Sequence, residues 1–252
     1  MKILFSGLSD TGRKRPFNED RFLCVELSGP VPGPEPWILL AVADGIGGHA
    51  AGEVASAMAV EILEKDVSRQ RVAGGPDALS RQVLEESFMR ANREIFEKAA
   101  RIAELGGMGT TLAATLFDGR KAAAANVGDS RIYRIRENDL AQISHDHSWA
   151  AEQKRGRGLT AEDIRRSPFR NMVTRSIGYT ETILIDTFAL DLRPGDRVLL
   201  CTDGLHGSLA APEILKILRK HRDPGKAAAA LIKAANRAGG RDNITAVVAR
   251  ID

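Results

Sequence analysis

Two stretches of similar shape decide the fold: Leu39-Leu40-Ala41-Val42-Ala43-Asp44-Gly45 and Val198-Leu199-Leu200-Cys201-Thr202-Asp203-Gly204. Each is an apolar run closed by Asp-Gly. The run reads as a buried strand, the aspartate stands where that strand leaves the core, and the glycine lets the backbone turn and a ligand approach. Asp-Gly is also ordinary turn chemistry, and Asp118-Gly119, between TLAATLF and KAAAANV, reads as a two-residue hairpin of that kind. Two such carboxylates at the ends of matching strands invite a shared cation.

Around these runs the pattern is that of a sheet-rich protein. Strands are expected at 3–9, 20–28 and 37–43, split by the Pro- and Gly-rich SGPVPGPEP that no helix could cross. From Ala51 the spacing of Val54, Ala55, Met58, Ala59, Ile62 and Leu63 is helical. A second helix is expected from Pro76 to Leu105, with Val83, Ser87, Ala91 and Ile95 on one face. After the hairpin, SRIYRIR and DLAQIS continue the meander, and the Arg-rich 147–182 reads as a surface flap with short helices. DTFAL, DRVLLCT and NITAVVARI add strands, interrupted by an Ala-rich helical stretch from Pro212 to Ala238. Helices must bury one stripe and sheets one face, so the economical packing is an α+β, four-layer α-β-β-α sandwich with two central antiparallel sheets. No composition break divides it, and the expectation is one domain over 1–252.

The chain has 252 residues, 43% hydrophobic and 27% charged, which excludes disordered and fibrous classes. Lys plus Arg number 36 against 33 Asp plus Glu; the net charge of +3 does not imply nucleic acid and tolerates an anionic substrate. Cys24 and Cys201 stand far apart with no C-x-x-C, so neither a disulfide framework nor a zinc ribbon is indicated and a reducing cytoplasm is expected. MKILFSGLSD is too brief for a signal-peptide core and no apolar run approaches a membrane span, so neither secretion nor a membrane partner is expected.

Two further carboxylates lie at strand ends: Asp20 before RFLCVEL and Asp242 before NITAVVARI. Four aspartates converging without a cation would raise one another's pKa and destabilise the fold. A hard divalent ion reverses that penalty, and oxygen-only ligands favour Mg²⁺ or Mn²⁺ over zinc. Two such ions can activate a water and aim it at phosphorus. Arg15, near Asp20 in the chain, can grip two phosphoryl oxygens with its guanidinium fork; the plainer reading is a solvated basic cluster with Arg13 and Lys14.

With those residues assembled, the order of motifs resembles the metal-dependent protein phosphatases (PPM, or type 2C) in their compact bacterial form. The resemblance runs through SDTGRKRPFNED (9–20), VADGIGGHAAGEVAS (42–56), GMGTTLAATL (107–116), ANVGDSRIYRI (125–135), DHS (146–148), RNMVTRSIG (170–178), LLCTDGL (199–205) and GGRDNITAVV (239–248). It implies that Asp44 bridges two metals with the Gly45 carbonyl as a further ligand. Asp203 and Asp242 would hold one metal, and Asp20 with Glu19 would act on the other directly or through ordered water. Arg15 would hold the substrate phosphate. Asp129 matches a position that, with Asp203, often binds a third metal; its plain reading is a turn aspartate. Where some relatives have DGHGG, with a His as candidate general acid, this chain has Ile46; His49 is the nearest substitute, against the plain reading that it caps or packs the next helix. Ser167 likewise stands where relatives commonly carry His.

The implied activity is hydrolysis of phosphoserine and phosphothreonine monoesters in proteins by a metal-activated water. Phosphoproteins and a Ser/Thr kinase acting on the same targets would be partners of a monomeric enzyme. The alternative is a non-catalytic phosphoprotein-binding domain of the same fold. GGMGTT lacks the Lys of a nucleotide P-loop, His145 and His147 read as hydrogen bonders, and Cys201 reads as core.

Overall fold

A computed structural model describes residues 2–28, 36–47, 50–73, 80–118, 121–156 and 159–252. In chain order the strands are β1 (Ile3–Asp10), β2 (Asp20–Leu27), β3 (Trp37–Ile46), β4 (Gly109–Thr110), β5 (Leu112–Phe117), β6 (Ala122–Val127), β7 (Arg131–Arg136), β8 (Asp139–Gln142), β9 (Asp186–Leu190), β10 (Arg197–Cys201) and β11 (Ile244–Ile251). The helices are α1 (Ala50–Ala73), α2 (Ser80–Arg101), α3 (Trp149–Arg155), α4 (Ala161–Arg166), α5 (Asp203–His206), α6 (Ala211–Lys220) and α7 (Pro224–Arg237). One sheet runs β1-β11-β10-β7-β8; the other runs β2-β3-β5-β6-β9, with β4 paired to β3. All pairings between these strands are antiparallel.

The apolar runs are continuous because their strands are buried on both faces. In β3, Leu39, Ala41 and Ala43 pack towards α1 and α2 with Leu63 and Phe88, while Ile38, Leu40 and Val42 join the layer between the sheets. In β10, Leu199 and Cys201 pack towards α7 with Leu231, while Val198 and Leu200 enter that same middle layer. Since successive side chains alternate faces, each sheet touches helices on one side and the other sheet on the other. This is the expected four-layer sandwich.

The sheet connectivity and one helix end depart from the sequence reading. The chain crosses between sheets after β6, so β7 pairs with β10 instead of β6, while β7 and β8 form the expected hairpin. The Ala-rich stretch from Pro212 to Ala238 folds as the expected helix pair, α6 and α7, divided where Pro224, which cannot sit in a helix interior, starts α7 and Asp223 accepts from the Lys226 N–H at 2.8 Å. The second helix ends at Arg101, and a separate 3₁₀ turn covers Ala103–Leu105. Its expected start at Pro76 lies outside the described residues, as does the hairpin tip at 119–120; β5 and β6 do pair, with Phe117 opposite Ala122. The flap carries α3, capped by Ser148, and α4, whose Thr160 and Asp163 form a capping box.

Phe88 is fully buried between α2 and its neighbours; Phe88→Ala is expected to cost about 3–5 kcal/mol in urea unfolding. Burial opposes ionisation of Asp196, only 2% exposed, but the Arg136 guanidinium and the Arg193 N–H outweigh it and hold the carboxyl below its usual range. A depressed carboxyl stabilises above the unfolded pKa and loses that stabilisation as pH falls through the folded one. Melting curves below about pH 4 should therefore fall less steeply in Asp196→Asn than in the parent.

Candidate active site and metal centre

Period-two alternation carries the middle layer outward to one edge of the sandwich, where its side chains become polar. Ser9 on β1, Asp20 on β2, Asp44 on β3 and Thr245 on β11 occupy the same strand faces as Phe5, Cys24, Val42 and Val247 of that layer. Thr202, just past β10, continues the face of Leu200. Asp20 and Asp44 are directly opposed in the β2–β3 register. Asp203 opens α5, and Asp242 lies two residues before β11.

Asp44-Gly45 and Asp203-Gly204 share a second feature. A methyl group at Gly45 would collide with the Gly52 carbonyl of α1, and one at Gly204 with the Asn243 carbonyl. Glycine is needed at both turns because another backbone segment passes against the strand end.

The charges there feel one another. Burial, then Asp20, Asp203, Asp129 and Asp242, push the Asp44 carboxyl well above its ordinary range. Burial raises Asp20 to about 7 although two hydroxyl donors oppose it. Asp203 is raised by burial and by Asp242, and Asp129, in the turn between β6 and β7, is raised to about 7 by burial and by Asp203. Asp20 Oδ2 accepts hydrogen bonds from Thr202 Oγ1 at 2.8 Å and Thr245 Oγ1 at 2.7 Å. Its Oδ1, like Oδ1 of Asp203, is buried with no hydrogen-bond partner among the described residues.

Such oxygens are costly to bury. The donor set of carboxylates and a strand-end carbonyl suits a hard cation, so these residues fit Mg²⁺ or Mn²⁺. Among the described residues no three His, Cys, Asp or Glu side chains form a group able to hold a metal by themselves. Hard divalent ions of this class keep several of their own waters, so a complete protein cage is not required.

Arg15 donates to Asp242 Oδ2 at 2.8 Å and is half-exposed. Its loop is fastened by Asn243, a residue the sequence reading passed over. Asn243 Oδ1 accepts from the Glu19 N–H, and its Nδ2 donates to the Thr11 and Phe17 carbonyls at 3.0 and 2.8 Å. The Glu19 carbonyl accepts from the Gly45 N–H and from Ser56 Oγ. Thr202 and Thr245 were also passed over: each is one or three residues from an aspartate already singled out, but a threonine in a strand carries no signal of what it faces. His49 lies outside the described residues, and Ile46 ends β3 opposite Gly109.

His145 and His147 are the hydrogen bonders they were read as. His147 Nδ1 accepts from the Gly128 N–H at 3.1 Å, which leaves the proton on Nε2, 3.3 Å from Asp186. His145 also meets Asp186. Cys201 is fully buried.

Comparison with known proteins gives this edge a context. The family described as protein phosphatase 2C matches residues 14–240. The serine/threonine phosphatase stp of Listeria monocytogenes is 35% identical over 247 residues, covering 97% of this chain and 94% of that protein. The serine/threonine protein phosphatase PstP of Mycobacterium tuberculosis is 36% identical over 99% of this chain and 45% of its own length. Among solved structures, the S. agalactiae serine/threonine phosphatase superimposes with a TM-score of 0.88 at 30% identity, covering all of both chains. The catalytic domain of PstP in complex with two manganese ions does so at 0.81 and 32% identity, covering 99% of each. No finding favours the non-catalytic alternative. With sequence likeness and fold in agreement along the whole chain, it belongs to the protein phosphatase 2C family, as a bacterial metal-dependent protein serine/threonine phosphatase.

Proposed function

We propose that the phosphatase works from the acidic edge just described. Asp44 and the Gly45 carbonyl, Asp203, Asp242, and Asp20 with Glu19 would hold two Mn²⁺ or Mg²⁺ ions, with Asp129 and Asp203 offering a third position. When bound, such ions withdraw charge from phosphoryl oxygens and lower the pKa of water enough for it to attack phosphorus at neutral pH. The observation that carries the reading is geometric: Asp20, Asp44, Asp129 and Asp203, distant in sequence, meet at one edge, where Oδ1 of Asp20 and of Asp203 are buried with no hydrogen-bond partner among the described residues and burial pushes all four carboxyls up.

The chain's own part is placement and charge. Arg15 spends one N–H on Asp242 and keeps the rest of its fork for phosphoryl oxygens. Asn243 fixes the loop from both sides of Arg15, so the guanidinium is presented without a large ordering cost. With Ile46 unable to donate a proton, His49 is the side chain nearest in sequence for the leaving alkoxide, and water is its competitor.

Phosphoproteins are the substrates that the activity entails. A Ser/Thr kinase acting on the same targets, a monomeric state, a signalling role and a cytoplasmic site complete the proposal. Free Cys24 and Cys201 support a reducing compartment. No helix among the described residues is long and apolar enough to cross a membrane. The middle layer shared by both sheets supports one catalytic domain over 1–252.

Asp44→Ala and Asp203→Ala should each abolish most Mn²⁺-dependent p-nitrophenyl phosphate hydrolysis, and treatment with EDTA followed by desalting should do the same to the parent until Mn²⁺ is restored. Full activity after chelation would overturn the scheme. Arg15→Ala should lower kcat/KM on a phosphopeptide by about 10²-fold, and Arg15→Lys should recover little of it, because an ammonium lacks the fork.

A further inference from the structure

With the Asp20 carboxyl ionised, as a metal ligand must be, the hydroxyl groups around it have one consistent set of donors and acceptors. Thr202 Oγ1 accepts from the Thr245 N–H at 3.0 Å, so its own proton goes to Asp20 Oδ2, 2.8 Å away. Asn18 Nδ2 donates to Ser9 Oγ at 2.9 Å, and Ser9 Oγ lies 2.8 Å from Thr245 Oγ1. With Thr245 donating to Asp20 Oδ2 at 2.7 Å, Ser9 donates to Thr245. The direction is Asn18 to Ser9 to Thr245 to Asp20. Thr202 and Thr245 are both fully buried, and Asp20 is 1% exposed.

We propose that Thr202 and Thr245 are positioning residues that saturate Asp20 Oδ2 and turn Oδ1 alone towards the metal site, so that Asp20 serves as a one-oxygen ligand or water holder. The inference rests on the reading of this edge as a metal centre and goes beyond it by naming the oxygen and the groups that select it. A two-oxygen contact from Asp20 would have to break two buried hydroxyl bonds. Both threonines also belong to segments that carry other acids: Thr202 precedes Asp203, and Thr245 follows Asp242 by three residues. The pair therefore ties Asp20, on one sheet, to the two carboxylates that flank strands of the other. Valine keeps threonine's shape and removes the donor, and serine keeps the donor; the two substitutions separate packing from hydrogen bonding.

The test is Mn²⁺ binding by isothermal titration calorimetry, with thermal melting of each variant alongside. Thr245→Val and Thr202→Val should each weaken Mn²⁺ affinity by about 10-fold, the scale of effect when a partner that orients a metal ligand is removed. Thr245→Ser should bind as the parent does. In an Asp20→Asn background, Thr245→Val should add nothing further, because its action runs through that carboxylate. Parental affinity in both valine variants, equal loss in Thr245→Ser and Thr245→Val, or an undiminished effect of Thr245→Val in the Asp20→Asn background would each overturn the inference while leaving the metal centre standing. Should one valine variant fail to melt cooperatively, the other valine variant and Thr245→Ser decide the matter. A parent protein that binds no Mn²⁺ would overturn the metal reading itself and this inference with it.

Discussion

Like charges buried together at the edge of an apolar layer are the constraint on which this structure turns. The middle of the sandwich is a layer of Ile, Leu, Val and Ala side chains from both sheets, and at one end of it the same strand faces present aspartates. Apolar burial supplies the stabilisation that lets the fold tolerate this edge. The mutual repulsion that remains is what a divalent cation would relieve, which is why the proposed metal centre lies at this destabilised edge.

The polar groups around that edge divide the work. Threonine hydroxyls bridge the sheets at Asp20, Asn243 ties the loop of Arg15 to the turn of Asp242, and close backbone approach at Gly45 and Gly204 keeps both strand ends in register with their neighbours. None of these groups has a charge of its own to offer. Their contribution is to reduce the number of positions that the charged side chains can take, which is where pre-organised catalysis gains over a flexible cluster.

In the proposed site, Arg15 and Asp242 would join the substrate-binding and metal-binding functions. One N–H of the guanidinium rests on the carboxylate that the site reading assigns to a metal, and Asn243, the next residue after Asp242, holds the backbone on either side of Arg15. A change at either end of this contact alters both the charge seen by a phosphoryl group and the geometry of the acidic cluster.

The sequence by itself determined the layers and the acids. Apolar runs ending in Asp-Gly, helical spacing from Ala51, and four strand-end aspartates with Arg15 are local patterns, and local patterns survive in a one-dimensional reading because strand and helix periods are fixed by backbone geometry. The tertiary structure alone decided which strand pairs with which: after β6 the chain passes to the other sheet and takes the β7–β8 hairpin with it. It alone also decided that Thr202 and Thr245 face Asp20 and that Asn243 ties the backbone around Arg15 and Glu19. Those residues act through partners as many as 232 positions away in the chain. Hydrogen bonds of that reach leave no periodicity behind them, since they depend on how two sheets meet rather than on what either strand contains.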